Sequence, residues 1–393
     1  MWSNKKWVDN LINILIFCTA INLFHYGQLI LPFICLILFV ENGYKFKINN
    51  PYIFSILCLF ALTYCLFSYK LGLYCVIGFF LPMAYYIGSN LKCCSYDNIK
   101  KLLYIISLGM ASHVLLNFAY NISIFGLEIF IKQNQYDIWT QDKISSTSVA
   151  VNYVFIICLM YYVLKYERDK KIKCIFSITF ALMLVYEIAL GRRTPIFILL
   201  IVSFLALVID ICINSKTKIK KTLIVLFITI LAITGFITII YYYIRAYINP
   251  DFALYEFVVF RKLINEGLKS GRLEILLRSI KIMPEHLWGG QEISAIIGND
   301  IHDLWSDIYD SAGIIPFMLM MVYTILLIKN VINNIKNKII KEKDLIIYIP
   351  LCVGIILQMM LEPMIRSCSI FLILVVLISA ASESIDCRNE KQV

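Results

Sequence analysis

Charged residues are scarce in this 393-residue sequence, at 16% of the total, whereas hydrophobic residues make up 60% and the mean hydropathy is +0.79. A soluble domain covers itself with polar side chains, so this composition excludes an ordinary soluble protein. Apolar runs of about 17 to 25 residues, long enough to cross a hydrocarbon core of roughly 30 Å, recur along nearly the whole chain. We therefore expect one helical membrane domain over residues 1–393.

Several chemical signatures are missing as well. There is no P-loop, no GxGxxG and no Ser-His-Asp pattern, and no CxxC or Cys/His spacing suggests zinc. None of the 13 cysteines lies between residues 245 and 309, the longest polar region, so no disulfide framework is expected. We predict no cofactor and no metal, and the excess of lysine in short loops does not imply nucleic acid.

Hydropathy predicts about twelve transmembrane helices, the first of them retained because its start offers no small-residue cleavage site. The break at residues 25–28 between the first two spans is short, so these spans are either two separate helices or one helix with a bend. The predicted spans are 8–25, 28–44, 51–69, 71–89, 102–121, 148–165, 174–190, 194–212, 222–244, 311–328, 345–361 and 367–382.

The two kinds of basic residue are distributed differently. With the N-terminus inside, the cytoplasmic segments contain 21 of the 27 lysines but only two of the nine arginines, which agrees with the positive-inside rule and places both termini in the cytoplasm. Guanidinium is a planar fork that grips phosphate or carboxylate through two hydrogen bonds. An outer face built to hold an anion is therefore expected. Its arginines are Arg192, Arg193, Arg245, Arg261, Arg272, Arg278 and Arg366.

Two outer segments place arginine beside a helix. Arg192 and Arg193 precede Thr194-Pro195, a good N-cap and first-turn pair, so this turn can hold a phosphate or diphosphate or simply contact lipid headgroups. In the large outer loop, residues 245–310, Ser270-Gly271-Arg272 opens a stretch whose apolar residues recur at helical spacing. It predicts an amphipathic helix on the bilayer surface, with Arg272 and Arg278 within reach of a headgroup.

His302 is the best candidate for a general base, because a neutral imidazole accepts a proton near ambient pH. A loop histidine that only forms hydrogen bonds is the alternative. Acidic residues recur near it at helical spacing, and they suggest either a divalent-cation site or a solvated face; they are Asp300, Asp303, Asp307 and Asp310. Glu362 and Arg366, in the last outer turn, either complete the site or pair with each other.

The remaining candidates are expected to be structural. For His25, at a helix end, and His113, within an apolar span, a satisfied polar side chain at a helix interface is favoured over catalysis. Trp139 and Trp288 suit an interfacial aromatic belt.

Three elements, in this order, resemble the bacterial superfamily of O-antigen polymerases and O-antigen ligases (Wzy-type polymerases and their ligase relatives). They are Gly191-Arg192-Arg193-Thr194 ahead of a helix; Ser270-Gly271-Arg272 followed by a helix and Leu287-Trp288-Gly289-Gly290; and Ile301-His302-Asp303-Leu304 leading to Ala312-Gly313-Ile314. The single large periplasmic loop and the twelve-span plan extend the resemblance over most of the chain.

The resemblance implies an all-α, GT-C-like integral membrane protein with short helices in its periplasmic loop. Its activity would be that of a metal-independent inverting glycosyltransferase acting on oligosaccharides linked to undecaprenyl diphosphate, with membrane lipids and a chain-length regulator protein as further partners. Arg192, Arg193, Arg272 and Arg278 would bind the diphosphate, and His302 would be the base. Asp303 stands where the family commonly has Asn, so it can share the role of the base or orient the imidazole.

Polymerase activity, which joins repeat units at the periplasmic face of the inner membrane, is the preferred interpretation. A ligase would use the same donor and transfer the glycan to lipid A-core. A lipid-linked oligosaccharide flippase should place its charges in a central cavity along the spans, whereas here they concentrate in outer loops. A membrane O-acyltransferase should have its histidine beside an early span, whereas His302 lies late in the chain.

Overall fold

The structure is a computed structural model, and the residues that it describes form α-helices, 3-10 turns and loops, with one isolated bridge between Tyr136 and Lys143. The described residues are 5–68, 76–91, 96–132, 134–144, 146–192, 194–213, 237–238, 240–242, 244–246, 251, 253, 256–258, 260–261, 272–290, 292–299, 301–336 and 340–389.

The helices follow the apolar runs closely. They are α1 (Lys5–Ala20), α2 (Leu31–Glu41), α3 (Pro51–Phe67), α4 (Phe80–Asn90), α5 (Tyr96–Phe125), α6 (Ser146–Val151), α7 (Val154–Tyr166), α8 (Lys170–Leu190), α9 (Thr194–Ile213), α10 (Arg272–Ile282), α11 (Glu292–Ile297), α12 (Leu304–Ala312), α13 (Ile314–Lys336), α14 (Leu345–Leu361), α15 (Met364–Ser367) and α16 (Ser369–Asn389).

Six helical segments in the described part of the chain are long and apolar enough to cross a membrane, and three shorter apolar helices accompany them. The protein is thus all-helical, with the composition of a membrane-embedded chain. Helices also lie at the other predicted spans, but most of the predicted span 222–244 falls outside the described residues, so the total of twelve stays a prediction.

Local signals set several helix ends. Asn50 caps α3, because its side-chain oxygen accepts hydrogen bonds from the backbone N–H groups of Tyr52 and Ile53 at 3.1 and 3.4 Å. Between α1 and α2 the chain makes two short 3-10 turns, at Leu23–His25 and Gly27–Ile30. The break at residues 25–28 therefore separates two helices and is not a gentle bend.

Helix α16 lies at the centre of the core, and its residues 370–378 are all buried. A helix that is apolar on every side must be surrounded, and α4 is its main neighbour. Gly88 of α4 allows the two backbones to approach, because a Cβ atom there would lie 2.8 Å from Ala380 Cβ.

Polar contacts tie the helix ends together in two groups. At what we call the Lys-rich end, Asn42 of the turn after α2 donates to Asn90 of α4 at 2.7 Å, and Lys100 of α5 lies 3.4 Å from Asp344, just before α14. The opposite end, which we call the loop end, collects the ends of α1, α8 and α14 and the starts of α9 and α13. Arg192, in the turn between α8 and α9, lies at the loop end.

Candidate functional site

The turn between α8 and α9 carries the first arginine pair. Gly191 ends α8 with a φ of 64°, and a Cβ atom there would lie 3.0 Å from Val258 Cβ, so only glycine fits without displacement. Arg192 is half-buried, whereas Arg193 lies outside the described residues. Helix α9 begins at Thr194, within one residue of the predicted start.

Thr194 connects this turn to the last outer turn. Its hydroxyl donates a hydrogen bond to Glu362 Oε1 at 3.0 Å, and both side chains are buried. Glu362, which directly follows α14, was expected either to complete the site or to pair with Arg366. The Arg366 side chain lies outside the described residues, so this choice stays a prediction. The hydrogen bond from Thr194 fixes the Arg192 turn against residues 362–367.

The predicted amphipathic helix in the large outer loop is present as α10. It begins at Arg272, whose side chain lies outside the described residues, and Arg278 is exposed with its guanidinium 3.0 Å from the Glu274 carboxylate. Leu277 and Ile280 are each about half exposed, at 53% and 52%. Apolar side chains exposed beside charged ones are what a helix lying on a bilayer surface presents.

Two glycines join the large loop to α13. Gly289 and Gly313 have φ values of 75° and 82°, and a Cβ atom on Gly289 would lie 2.5 Å from Gly313 N. The backbone N–H of Ile314 donates to the Leu287 carbonyl at 2.9 Å, and that of Gly290 donates to Ser311 at 3.2 Å. Residues 287–290 and 311–314, two of the segments that carry the family resemblance, therefore meet in space.

His302 and Asp303 stand at the start of α12 with different surroundings. His302 is half-buried, and Asp303 is buried with Oδ1 accepting the Ser306 backbone N–H at 2.8 Å, which makes it the N-cap of α12. Burial raises the pKa of the Asp303 carboxyl above its ordinary value, although hydrogen bonds from Ser306 oppose the shift. Asp303 thus has a structural task beside any part it has in proton transfer.

The acidic residues around His302 do not form a solvated face, and that expectation is wrong. Asp303, Asp307 and Asp310 are buried, at 8%, 0% and 0% exposure, while Asp300 lies outside the described residues. The spacing correctly places them on one face, but this face packs inward. Asp310 accepts the backbone N–H groups of Ile293 and Ser294 at 3.1 Å each, so it fixes the start of α11.

The segment at residues 362–367 links the two predicted parts of the site. Helix α12, which follows His302 and Asp303, packs against α14 and α15, and Glu362 between those helices holds Thr194. The Arg192 turn and α12 therefore both contact this one stretch of chain, Thr194 through Glu362 and α12 through α14 and α15. Glu362, a candidate from the sequence, and Glu187, which we did not predict, are each fully buried. An acidic residue within an apolar span is the signal that marks Glu187.

A second cluster at the loop end joins His25, His113 and Asp137, which no sequence pattern connects. His25 Nε2 lies 2.9 Å from Asp137 Oδ1, and His113 Nε2 lies 3.5 Å from Asp137 Oδ2. The two imidazole rings meet edge to face at 5.6 Å. His25 therefore makes a hydrogen bond, as expected of a satisfied polar residue, but with a carboxylate 112 residues away.

Asp137 is held by several groups at once. Its Oδ1 accepts the backbone N–H groups of Trp139 and Thr140 at 2.8 and 3.3 Å, and Asn117 donates to Oδ2 at 3.4 Å. Burial alone would raise the pKa of this carboxyl, but the two nearby imidazoles and the Trp139 N–H hold it well below its ordinary value. The carboxylate is therefore ionised and fixed in one orientation.

The cluster borders a polar cavity of about 400 Å³. Cys368 and Ser369, at the start of α16, line the other wall, so the cavity and the Thr194–Glu362 contact lie on the same stretch of chain around α15. Further polar side chains of the lining are Asn22, Gln28, Asn117, Thr140 and Asn152. The cavity therefore gathers polar side chains from several segments of the loop end around one space.

No known family model matches the chain, and no curated protein sequence matches it either. The functional assignment consequently stands on the residues and geometry of this chain.

Proposed function

We propose that the protein is an O-antigen polymerase, which transfers a growing glycan from undecaprenyl diphosphate to the terminal sugar of another lipid-linked repeat unit. The observation that supports this proposal is that the turn carrying Arg192 and α12, the helix that follows His302, both contact the segment at residues 362–367. An anion holder and a proton acceptor are the two parts that such a transfer requires.

The reaction is an inverting displacement. The acceptor hydroxyl oxygen attacks the anomeric carbon as the bond between that carbon and the diphosphate oxygen breaks. His302 takes the hydroxyl proton, and the diphosphate leaves with the electron pair of the broken bond. The enzyme must therefore stabilise negative charge that develops on the diphosphate, and arginine does so without a metal because it is always protonated.

The arginines contribute unequally. Arg192 is half-buried at the start of α9, where the free N–H groups and the positive end of the helix dipole add to its charge. Arg193 and Arg272 are assigned to the same diphosphate from their positions in the sequence. Arg278 already pairs with Glu274, so it would have to leave that exposed partner to reach the lipid carrier.

His302 and Asp303 have different proposed roles because Asp303 is the N-cap of α12. Asp303 uses Oδ1 to hold the Ser306 N–H and thus the start of α12. We assign proton transfer to His302, and to Asp303 the task of fixing the backbone that presents the imidazole.

The orientation follows from the charges. With the Lys-rich end in the cytoplasm, the loop end faces the periplasm, both termini lie inside and the chain belongs to the bacterial inner membrane. In a GT-C-like arrangement of twelve spans, the polyprenyl tail stays in the bilayer while its sugars react at the loop end. The exposed Leu277 and Ile280 of α10 would rest on the outer leaflet beside it.

Deletion of the gene, followed by analysis of surface polysaccharide, tests the assignment and separates its rivals. A polymerase predicts loss of the chain ladder with a single repeat unit still attached to lipid A-core. Loss of all attached glycan indicates a ligase, accumulation of lipid-linked units on the cytoplasmic leaflet indicates a flippase, and an unchanged profile contradicts all three.

Complementation of the deletion strain then tests the residues. His302→Ala should abolish the ladder at normal membrane levels, and Arg272→Lys should reduce it severely because the bidentate fork is lost while the charge remains. His286→Ala is the matched control, since His286 lies in the same loop and pairs with Glu292 at 2.7 Å. If the His302→Ala variant produced a normal polysaccharide ladder, the general base would have to be a carboxylate instead of His302.

A further inference from the structure

The cluster of His25, His113 and Asp137 has the donor set of a transition-metal site. In the part of the chain that the structure describes, one nitrogen from each imidazole and one carboxylate oxygen lie within 4.8 Å of one another. A tetrahedral ion with bonds of about 2.0 to 2.2 Å separates its ligand atoms by about 3.4 Å. His25 Nε2 lies 2.9 Å from Asp137 Oδ1 and His113 Nε2 lies 3.5 Å from Asp137 Oδ2, so both imidazoles face the same carboxylate at distances near that value.

The backbone that presents His25 is strained. Asn22, Phe24 and His25 have φ values of 52°, 52° and 63°, in the left-handed region that side chains other than Gly rarely adopt. Residues with side chains are strained in this region, and strain of this kind concentrates where a side chain must be held for a ligand.

The carboxylate of Asp137 is held in the way that a metal ligand is held. Asn117 and the backbone N–H groups of Trp139 and Thr140 orient this carboxylate. Partners that fix the orientation of a carboxylate in this way are typical of metal ligands.

His113 supplies an independent observation. Its side chain is 7% exposed, and Nε2 has no hydrogen-bond partner of good geometry in the described part of the chain. The same atom points to Asp137 Oδ2, from which it is 3.5 Å away. A buried polar atom left in this way is costly, and an ion between the three side chains would satisfy it.

We propose that His25, His113 and Asp137 bind one divalent transition-metal ion of the Zn²⁺ class, with the remaining coordination position open to the 400 Å³ cavity. Two imidazoles and one carboxylate suit Zn²⁺ and its neighbours, whereas Ca²⁺ and Mg²⁺ prefer sites made of oxygen alone. His25, with 41% of its side chain exposed, gives the ion a path of entry. The ion would join α5, the loop after it and the turn after α1.

This site uses other residues than the proposed glycosyl transfer, and its test does not depend on that transfer. The full chain is purified in detergent with a tag that contains no histidine, stripped with a chelator and titrated with Zn²⁺ and with Co²⁺. We expect one ion per chain, d–d absorption bands of tetrahedral Co²⁺, and a higher melting temperature in the presence of Zn²⁺. Absence of stoichiometric binding would leave a hydrogen-bonded triad only and overturns the proposal.

Variants locate the ion. His113→Ala and Asp137→Asn should each weaken metal binding by about 100-fold or more, since loss of a residue that only orients a metal ligand already lowers the affinity by about 10- to 100-fold. The amide oxygen of Asn can still accept the Trp139 N–H, so Asp137→Asn preserves the loop. His286→Ala should bind like the parent protein, and equal binding by all three variants contradicts the assignment. Should a variant fail to fold, X-ray absorption spectroscopy of the Zn²⁺-loaded parent protein counts the imidazole ligands of the ion. Two imidazole ligands would support the site, and the absence of any imidazole ligand would refute it.

Discussion

Gly313 is a position where a single added methyl group should damage the candidate site. Its backbone has φ 82° and ψ −169°, a region that is essentially restricted to Gly and costs other residues about 1 to 3 kcal/mol. A Cβ atom would lie 2.9 Å from Trp288 Cα and 2.8 Å from the Trp288 carbonyl carbon. Both are backbone atoms, which cannot rotate away as the end of a flexible side chain could.

The cost of Gly313→Ala follows from these contacts. Overlap of this kind costs about 1 to 3 kcal/mol. Moving residues 287–288 away would also lengthen the 2.9 Å hydrogen bond from Ile314 N–H to the Leu287 carbonyl, a loss of about 1 kcal/mol. Together with the backbone term, we expect a destabilisation of about 3 to 7 kcal/mol, which is large for one substitution.

Gly298 offers a matched control. It lies in the same loop with φ 72°, but nothing comes within 4 Å of a Cβ atom built on it. Gly298→Ala therefore meets the unfavourable backbone conformation without overlap and should cost about 1 kcal/mol. The difference between the two variants isolates the contact between residues 287–290 and 311–314.

Thermal unfolding in detergent, followed by the fluorescence of a thiol-reactive dye, measures both variants. Gly313→Ala should melt several degrees below Gly298→Ala, and its polysaccharide ladder should fall with it. Equal melting temperatures would refute the packing argument and with it the convergence of the two resembling segments.

Three further predictions concern the loop end. Arg192→Lys should shorten or abolish the polysaccharide ladder, whereas Arg168→Lys, near the Lys-rich end, should leave it unchanged; equal ladders would count against anion binding at Arg192. Thr194→Val removes the hydroxyl that donates to the buried Glu362 and should destabilise the protein by about 1 to 3 kcal/mol. An unchanged melting temperature would argue against this hydrogen bond. Asp303→Asn keeps an N-cap and should keep both stability and activity, whereas Asp303→Ala should cost about 1 kcal/mol; loss of activity with Asn at full stability would make the carboxylate a catalytic group.

The apolar runs predicted the helices because membrane-spanning segments must satisfy their own backbone hydrogen bonds. The amphipathic period likewise predicted α10, and Thr194-Pro195 predicted the start of α9. These signals are local, so a single sequence contains them. Whether they assemble into twelve spans is a matter of long-range packing that a local pattern does not encode.

The candidate site was harder to predict. Helical spacing showed that Asp303, Asp307 and Asp310 share a face, but not whether water or protein covers that face. Asp137 carried no pattern at all, because its partners His25 and His113 lie in other segments of the chain. A charged residue in a polar loop becomes informative only when the fold places a buried histidine opposite it.

The hydrogen bond between Thr194 and Glu362 has a consequence for biogenesis, because it joins residues 168 positions apart. At ribosomal rates of about 5 to 20 residues per second, roughly 10 to 30 s pass between the synthesis of one residue and that of the other. The hairpin of α8 and α9 is therefore inserted into the bilayer before α14 and Glu362, which stabilise it, have been synthesised. Nascent chains stopped short of residue 362 should be cleaved by proteases at the Arg192 turn, while completed chains resist.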